Sequence, residues 1–252
     1  MSKVPVYAQG GRKGADVELP AAFEAPVRTD LVRKAVKVSR ANRRQPYGAN
    51  PVAGERHSTE SVGKGRGASR VPRLKQGRNA ALAPNVVGGR RAHPPQARTD
   101  FSLKINRKER RLAIQSALAA TASAETVGAR GHRVEDVKSF PLVVEDDFFA
   151  AKTRDTLGAL EALGLAADLE RAREGQHVRA GMGKLRGRRL KTPKSVLFVT
   201  ADGKAPGVRN LTGVDVVAAK DLGTEHLAPG GDVGRLTVFT KGALEHIKEA
   251  YP

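Results

Sequence analysis

Residues 46–98 lack any pattern that would let them fold on their own. Glycine and proline recur through the stretch, Tyr47 is its only aromatic residue, and its apolar side chains follow neither strand nor helix periodicity. A connection of this length without regular structure is unusual inside a compact domain. The segment is therefore expected either to be disordered or to be ordered by a partner.

The chain's net charge of +19 is concentrated in two segments. Residues 40–98 contain 13 basic and 2 acidic residues, and residues 176–194 contain 7 basic and none acidic, whereas the remainder has 25 basic against 24 acidic. Two concentrated patches indicate a polyanionic partner, either nucleic acid or an anionic membrane. No membrane partner is expected, because neither segment shows the apolar face of an interfacial helix.

The composition narrows the class of protein further. The chain has no cysteine, which excludes disulfides, thiolate catalysis and cysteine-ligated metals. Its first residues lack the apolar stretch of a signal peptide, and no run approaches the roughly 18 apolar residues of a membrane span. We expect a soluble cytoplasmic protein without a cofactor or metal.

Outside residues 46–98, strand and helix patterns alternate. A hairpin is predicted around Gly10-Gly11, and helices are predicted over 28–44, 106–127, 153–163 and 241–251. Strands are predicted over 141–144, 166–169, 195–200, 214–218 and 236–240. This alternation predicts one α/β domain over 1–252, with a mostly parallel sheet, helices on both faces and Rossmann-like layering. The long irregular basic loop at 46–98 interrupts it, and a second basic loop lies at 176–194.

The motif Gly63-Lys64-Gly65-Arg66-Gly67 does not have the spacing of a phosphate-binding P-loop, and it does not stand between a strand and a helix. Glycine here would instead let the backbone approach RNA while the cations meet phosphates, although a flexible solvated tip is the alternative. The second basic segment has the same two readings, RNA contact or a solvated hairpin. The predicted RNA-binding residues are Arg40, Arg43, Arg44, Lys64, Arg66, Arg70, Arg73, Lys75, Arg78, Arg90, Arg91, His93, Arg179, Lys184, Arg186, Arg188, Arg189 and Lys191.

Several residues outside these segments were weighed as catalytic groups. The run Glu145-Asp146-Asp147 and Asp202 each follow a predicted strand, where α/β enzymes place carboxylates, but helix capping explains them equally well. His226 has no evident catalytic partner, and His93 has no second histidine at metal-ligand spacing. No nucleophile, base and acid are recognisable together, so we expect a protein that is not an enzyme.

The order and spacing of several strings resemble the large-subunit ribosomal protein four family, in its archaeal form. The resemblance covers essentially the whole chain. The strings are Arg28-Thr29-Asp30-Leu31, GKGRG at 63–67 followed by Val71-Pro72-Arg73-Leu74, GRRAHPP at 89–95, KERRLAIQSALAATA at 108–122, VRNLTGVDVV at 208–217, LAPGG at 227–231 and RLTVFT at 235–240.

This resemblance implies a structural protein of the cytoplasmic ribosome that binds large-subunit ribosomal RNA and aids subunit assembly. It also implies that the 46–98 loop lines the nascent-peptide exit tunnel, with a tip comprising Gly63, Gly65, Arg66, Gly67 and Arg70. Neighbouring large-subunit proteins and the nascent polypeptide are the implied partners, and a homo-oligomer is not expected. Two alternatives remain: an RNA-directed α/β enzyme that uses Glu145, Asp146 or Asp202, and a regulatory RNA-binding protein that acts off the ribosome.

Overall fold

Ten strands appear in the computed structural model, which describes residues 2–149 and 152–251. By contact clustering the chain divides into two compact units, one formed by Ala41–Leu103 and the other by the residues on either side. The strands are β1 (Lys3–Tyr7), β2 (Lys13–Glu18), β3 (Thr59–Glu60), β4 (Arg73–Leu74), β5 (Leu142–Val144), β6 (His177–Val178), β7 (Leu190–Lys191), β8 (Leu197–Thr200), β9 (Asp215–Ala218) and β10 (Thr237–Thr240).

A six-stranded sheet in the order β2-β1-β5-β10-β8-β9 forms the centre of the larger unit. Only β2 runs antiparallel to its neighbour, as the predicted N-terminal hairpin requires, and the other pairings are parallel. The mixed α/β class and the largely parallel sheet are therefore confirmed.

The central strands are apolar along their whole length because both of their faces are covered. Val143, Val199 and Phe239 belong to one buried cluster, which also contains residues of the first, second and last helices. The alternate residues, including Val144 and Phe198, belong to a second cluster that contains residues of the middle helices.

Seven α-helices accompany the sheet in the described part of the chain: α1 (Thr29–Asn42), α2 (Arg107–Thr121), α3 (Ala124–Ala129), α4 (Thr153–Ala162), α5 (Ala166–Glu174), α6 (Thr224–Leu227) and α7 (Lys241–Ala250). The predictions over 28–44, 153–163 and 241–251 are confirmed to within two residues at each end.

The single helix predicted over 106–127 is wrong, because the chain forms two helices there. The hydroxyl of Ser123 accepts a hydrogen bond from the backbone N–H of Thr126 and caps the start of α3. The expected capping box at Asn106 does not form either, since Asn106 makes no side-chain cap bond and Glu109 pairs with Lys34 at 2.8 Å.

The strand predicted over 166–169 is also wrong, because these residues begin helix α5. Gly164, with a φ of +81°, turns the chain tightly after α4, and its missing Cβ leaves room for the backbone oxygen of Asp136. Leu165 and Ala172 are then buried beside the sheet. The Asp168 side chain, at 0% exposure, points inward from this helix.

Candidate nucleic-acid interface

The Ala41–Leu103 unit has almost no core. Of the residues described between 41 and 103, Ala81 alone is buried, while Tyr47 and Val87 remain 79% and 101% exposed. Its regular structure is the two-residue pair of strands β3 and β4. Since apolar burial is the main favourable term in folding, this unit has very little to offset the entropy of ordering it.

The predicted tip residues lie in the connection between β3 and β4. Gly63, Gly65 and Gly67 have φ values of +72°, +79° and +60°, a region that L side chains rarely adopt. A Cβ at any of them would meet no atom within 4 Å, so the backbone here borders open space. The sequence therefore requires glycine here for its backbone conformation, and the result is an uncovered stretch of main chain between cationic side chains.

Nearly all predicted RNA-binding residues of this unit and of its N-terminal approach are exposed; Arg73 and Arg90 are partly covered. Arg90 forms an ion pair with Glu55 at 3.5 Å, and Arg44 stacks over the Phe101 ring with its guanidinium carbon 4.0 Å from the ring centroid. In the described structure no acidic side chain pairs with Arg40, Lys64, Arg66, Arg70, Arg73, Lys75, Arg78, Arg91 or His93. Their charge is available to an external anion.

The second basic segment folds as a hairpin, in the larger unit. Strands β6 and β7 pair antiparallel, and the backbone N–H of Arg179 extends the ladder to the carbonyl of Arg189 at 2.8 Å. A 3-10 helix, Met182–Arg186, forms the tip. Over the described residues, the cations that form no ion pair in this hairpin are Arg179, Lys184, Arg186, Arg188, Arg189 and Lys191.

The carboxylates weighed as catalytic groups lie at the C-terminal ends of the parallel strands. Asp146, Asp147 and Asp202 line a cavity of about 450 Å³ there. Asp146 accepts the backbone N–H of Gly242 at 3.1 Å, so it satisfies a free donor in the first turn of α7. Helix capping, the structural alternative for this acidic run, is therefore the role of Asp146.

A buried polar cluster that sequence reasoning missed lies on the other side of the sheet's strands. The Asp168 carboxylate accepts hydrogen bonds from Ser195 Oγ at 2.7 Å, from Arg171 Nε at 2.8 Å and from His132 Nδ1 at 3.0 Å. Burial alone would raise the pKa of Asp168, but the bonds from His132, Arg171 and Ser195 outweigh it and hold that pKa well below its usual range.

This cluster contains serine, histidine and aspartate without forming a catalytic triad. Ser195 bonds to the carboxylate rather than to the imidazole, so no base is placed to take its proton. Ser195 and Asp168 are both 0% exposed, which leaves no path for a substrate. The cluster joins α5 to the start of β8, and its role is structural.

Arg235, 1% exposed, is the centre of a second buried network. Its guanidinium donates to the carbonyls of Ser195 and His226, both at 2.9 Å, and to the Asp215 carboxylate at 2.7 Å. His226, which was weighed as a base, accepts the Gly223 N–H on its Nδ1 at 3.1 Å. Burial lowers the pKa of His226.

Two further classes of site were searched for within residues 2–149 and 152–251. No group of three or more His, Cys, Asp or Glu side chains is arranged there to hold a metal ion. None of the helices described has the length and apolar character needed to cross a membrane.

Comparison with known families matches residues 17–250 to the Ribosomal protein L4/L1 family. The chain belongs to this family. The resemblance carried by the strings from Arg28 to Thr240 is thus confirmed.

Curated relatives in the L4/L1 family match nearly the whole chain. The large ribosomal subunit protein uL4 of Halobacterium salinarum is 49% identical over 250 residues, covering 98% of this chain and 99% of that protein. The proteins of the same name from Halorubrum lacusprofundi and Methanopyrus kandleri are 51% and 50% identical, each covering at least 97% of this chain and 98% of its own length. These organisms are archaea, in agreement with the archaeal form that the sequence resembles.

Membership of the L4/L1 family also bears on the enzyme alternative. A family of ribosomal proteins is not a family of enzymes, so the prediction of a non-enzymatic protein is confirmed. The capping role of Asp146 and the burial of the Asp168 cluster fit this conclusion.

Proposed function

We propose that the chain is a structural constituent of the large subunit of the cytoplasmic ribosome. It binds large-subunit ribosomal RNA through residues 46–98 and 176–194, and the layered α/β body is the scaffold that holds both. The names of the curated relatives support the subunit. The observation that carries RNA binding is the Ala41–Leu103 unit, which combines one buried residue with many exposed and unpaired cations.

The energetic argument concerns how this unit becomes ordered. Fixing the backbone of one residue opposes folding by roughly 1–2 kcal/mol, and apolar burial normally offsets that term. The unit buries only Ala81, so a partner must supply the difference. Ribosomal RNA does so by exchanging condensed counterions for lysine and arginine.

The tip geometry supports the finer part of the proposal, in which the loop lines the exit tunnel. Gly63, Gly65 and Gly67 leave the backbone bare, and Arg66 and Arg70 stand exposed beside them. A narrow channel with RNA walls favours a segment with little side-chain bulk and a positive charge on its wall side. The nascent polypeptide and neighbouring large-subunit proteins are the further proposed partners, and the chain acts as a single copy.

Sedimentation of a lysate from the source cells tests the proposed location. We expect the protein in the large-subunit fraction at one copy per subunit, and its loss when the RNA is digested. A protein found only in the soluble pool would contradict a ribosomal role and favour the regulatory alternative.

Hydrogen exchange on the free protein tests how the loop becomes ordered. We expect amides throughout 46–98 to exchange nearly as fast as in an unfolded chain, because they lack a core, while those of β5, β8 and β10 are protected. Adding large-subunit ribosomal RNA should slow exchange in 46–98. Slow exchange over this segment without RNA would show that the protein orders it alone.

A further inference from the structure

The hairpin of residues 177–191 has an apolar face and a cationic face. Val178 stands opposite Leu190 across the two strands, and His177 stands opposite Lys191. Because successive side chains of a strand point to opposite faces, Val178 and Leu190 share one face, and His177 and Lys191 share the other. Val178 and Leu190 are 53% and 50% exposed, so nothing in the described structure covers the apolar face.

The tip of the hairpin repeats this division. In the 3-10 helix Met182–Arg186, residues three apart are aligned, which places Met182 and Leu185 on the same side of the turn. They are 61% and 72% exposed. Lys184 and Arg186 leave the turn in other directions. Large exposed apolar side chains grouped in this way mark an interaction surface.

We infer that this hairpin binds RNA where bases are unstacked, at a bulge, loop or junction, rather than along an uninterrupted duplex. The inference rests on the proposed function, because it names the kind of RNA that this segment takes. Phosphates meet Lys184, Arg186 and their neighbours, whereas Met182 and Leu185 pack against base faces and riboses. A continuous RNA helix hides its base faces in the stack, so only unpaired or splayed nucleotides present this apolar surface.

An anionic membrane would also offer negative charge beside an apolar phase, but it is flat. In the paired strands, Val178 and Leu190 point away from His177 and Lys191, so one plane cannot engage both faces. A folded RNA strand can pass around the hairpin and contact each face with the chemistry that suits it. The faces therefore favour RNA.

The test measures the affinity of the full chain for two RNA probes over a range of salt concentrations. One probe is a stem closed by a large single-stranded loop, and the other is a fully paired duplex of equal length. The apolar variant carries Met182→Ser and Leu185→Ser, and the matched charge variant carries Lys184→Gln and Arg186→Gln. All four side chains are exposed, and circular dichroism checks that each variant is folded.

We expect the apolar variant to bind the stem-loop about tenfold more weakly at every salt concentration, since partial burial of two such side chains contributes that much. Its salt slope and its affinity for the duplex should not change. The charge variant should instead reduce the slope of log K against log salt by about 1.4, at roughly 0.7 for each phosphate released.

The outcomes separate this inference from the proposed function. If only the charge variant has an effect, or if the apolar variant weakens both probes equally, the unstacked-base inference is overturned and RNA binding by the hairpin stands. If neither variant has an effect, this hairpin is not part of an RNA interface. If the apolar variant retains full stem-loop affinity but loses binding to phosphatidylserine vesicles, the partner of the apolar face is a membrane.

Discussion

Neutralising five cations of the 46–98 loop should weaken binding to large-subunit ribosomal RNA by about 1,000-fold or more at 0.1 M salt. The five substitutions, all to Gln, are at Lys64, Arg66, Arg70, Lys75 and Arg78. Each of these side chains is exposed and lacks an ion-pair partner in the described structure. Their charge is therefore free to displace counterions from phosphates. Arg73 is left in place because its Nη1 donates to the Arg78 carbonyl at 2.7 Å and supports the local turn.

The diagnostic quantity is the slope of log K against log salt. Each phosphate contact contributes roughly 0.7–0.9 to this slope, so the five-fold variant should have a slope less steep by about 3.5–4.5. Its affinity should converge with that of the natural chain towards about 1 M salt, where counterion release no longer favours binding. Binding is measured by filter retention or fluorescence anisotropy on the full chain.

A matched control separates position from total charge. Arg154, Lys204, Lys220, Lys241 and Lys248 are exposed cations of the nearly neutral body, and replacing them with Gln changes the net charge equally. The control should retain most of the affinity and most of the slope. Equal losses in the two variants would mean that the RNA responds to total charge, and the assignment of binding to the 46–98 segment would be wrong.

The basic segments could be found in the sequence because counting charges requires no fold. The apolar runs at β5, β8 and β10 likewise predicted buried parallel strands, since only strands covered on both faces have no polar alternation. The two faces of the 177–191 hairpin could not be found in this way. They depend on the register that sets Val178 against Leu190, and the segment's charge obscures its scattered apolar residues.

The elements predicted wrongly depend on contacts between residues distant in sequence. Helix formers run continuously through 107–122, and the hydroxyl of Ser123 interrupts them by capping a new helix. In α5, a buried aspartate contradicts any simple amphipathic pattern. Asp168 lies inside because its partners His132 and Ser195 are 36 and 27 residues away.

The substitution Asp168→Asn should lower the free energy of unfolding by about 3–5 kcal/mol, because it leaves a buried cationic group without its counter-charge. The natural carboxylate accepts from Ser195, His132, Arg171 and the backbone N–H of Arg133. An amide of the same shape presents one N–H group to this ring of donors, so at least one bond becomes a repulsive contact. Urea unfolding followed by circular dichroism measures the change. Asp155→Asn, at an exposed position of α4, is the control and should have no measurable effect.

The pH dependence of this difference identifies the ionised carboxylate as its cause. The folded-state pKa of Asp168 lies below the value of about 4 expected in the unfolded chain, so the unfolded state takes up the proton first as the pH falls. The stability that Asp168 contributes is then fully present above about pH 5 and is lost as the pH falls through the folded-state pKa. The gap between the natural chain and Asp168→Asn should therefore be constant near neutrality and narrow below about pH 4. A gap of the same size down to the acid limit of folding would assign the effect to shape rather than charge, and the hydrogen-bonded carboxylate would not be what secures α5 to β8.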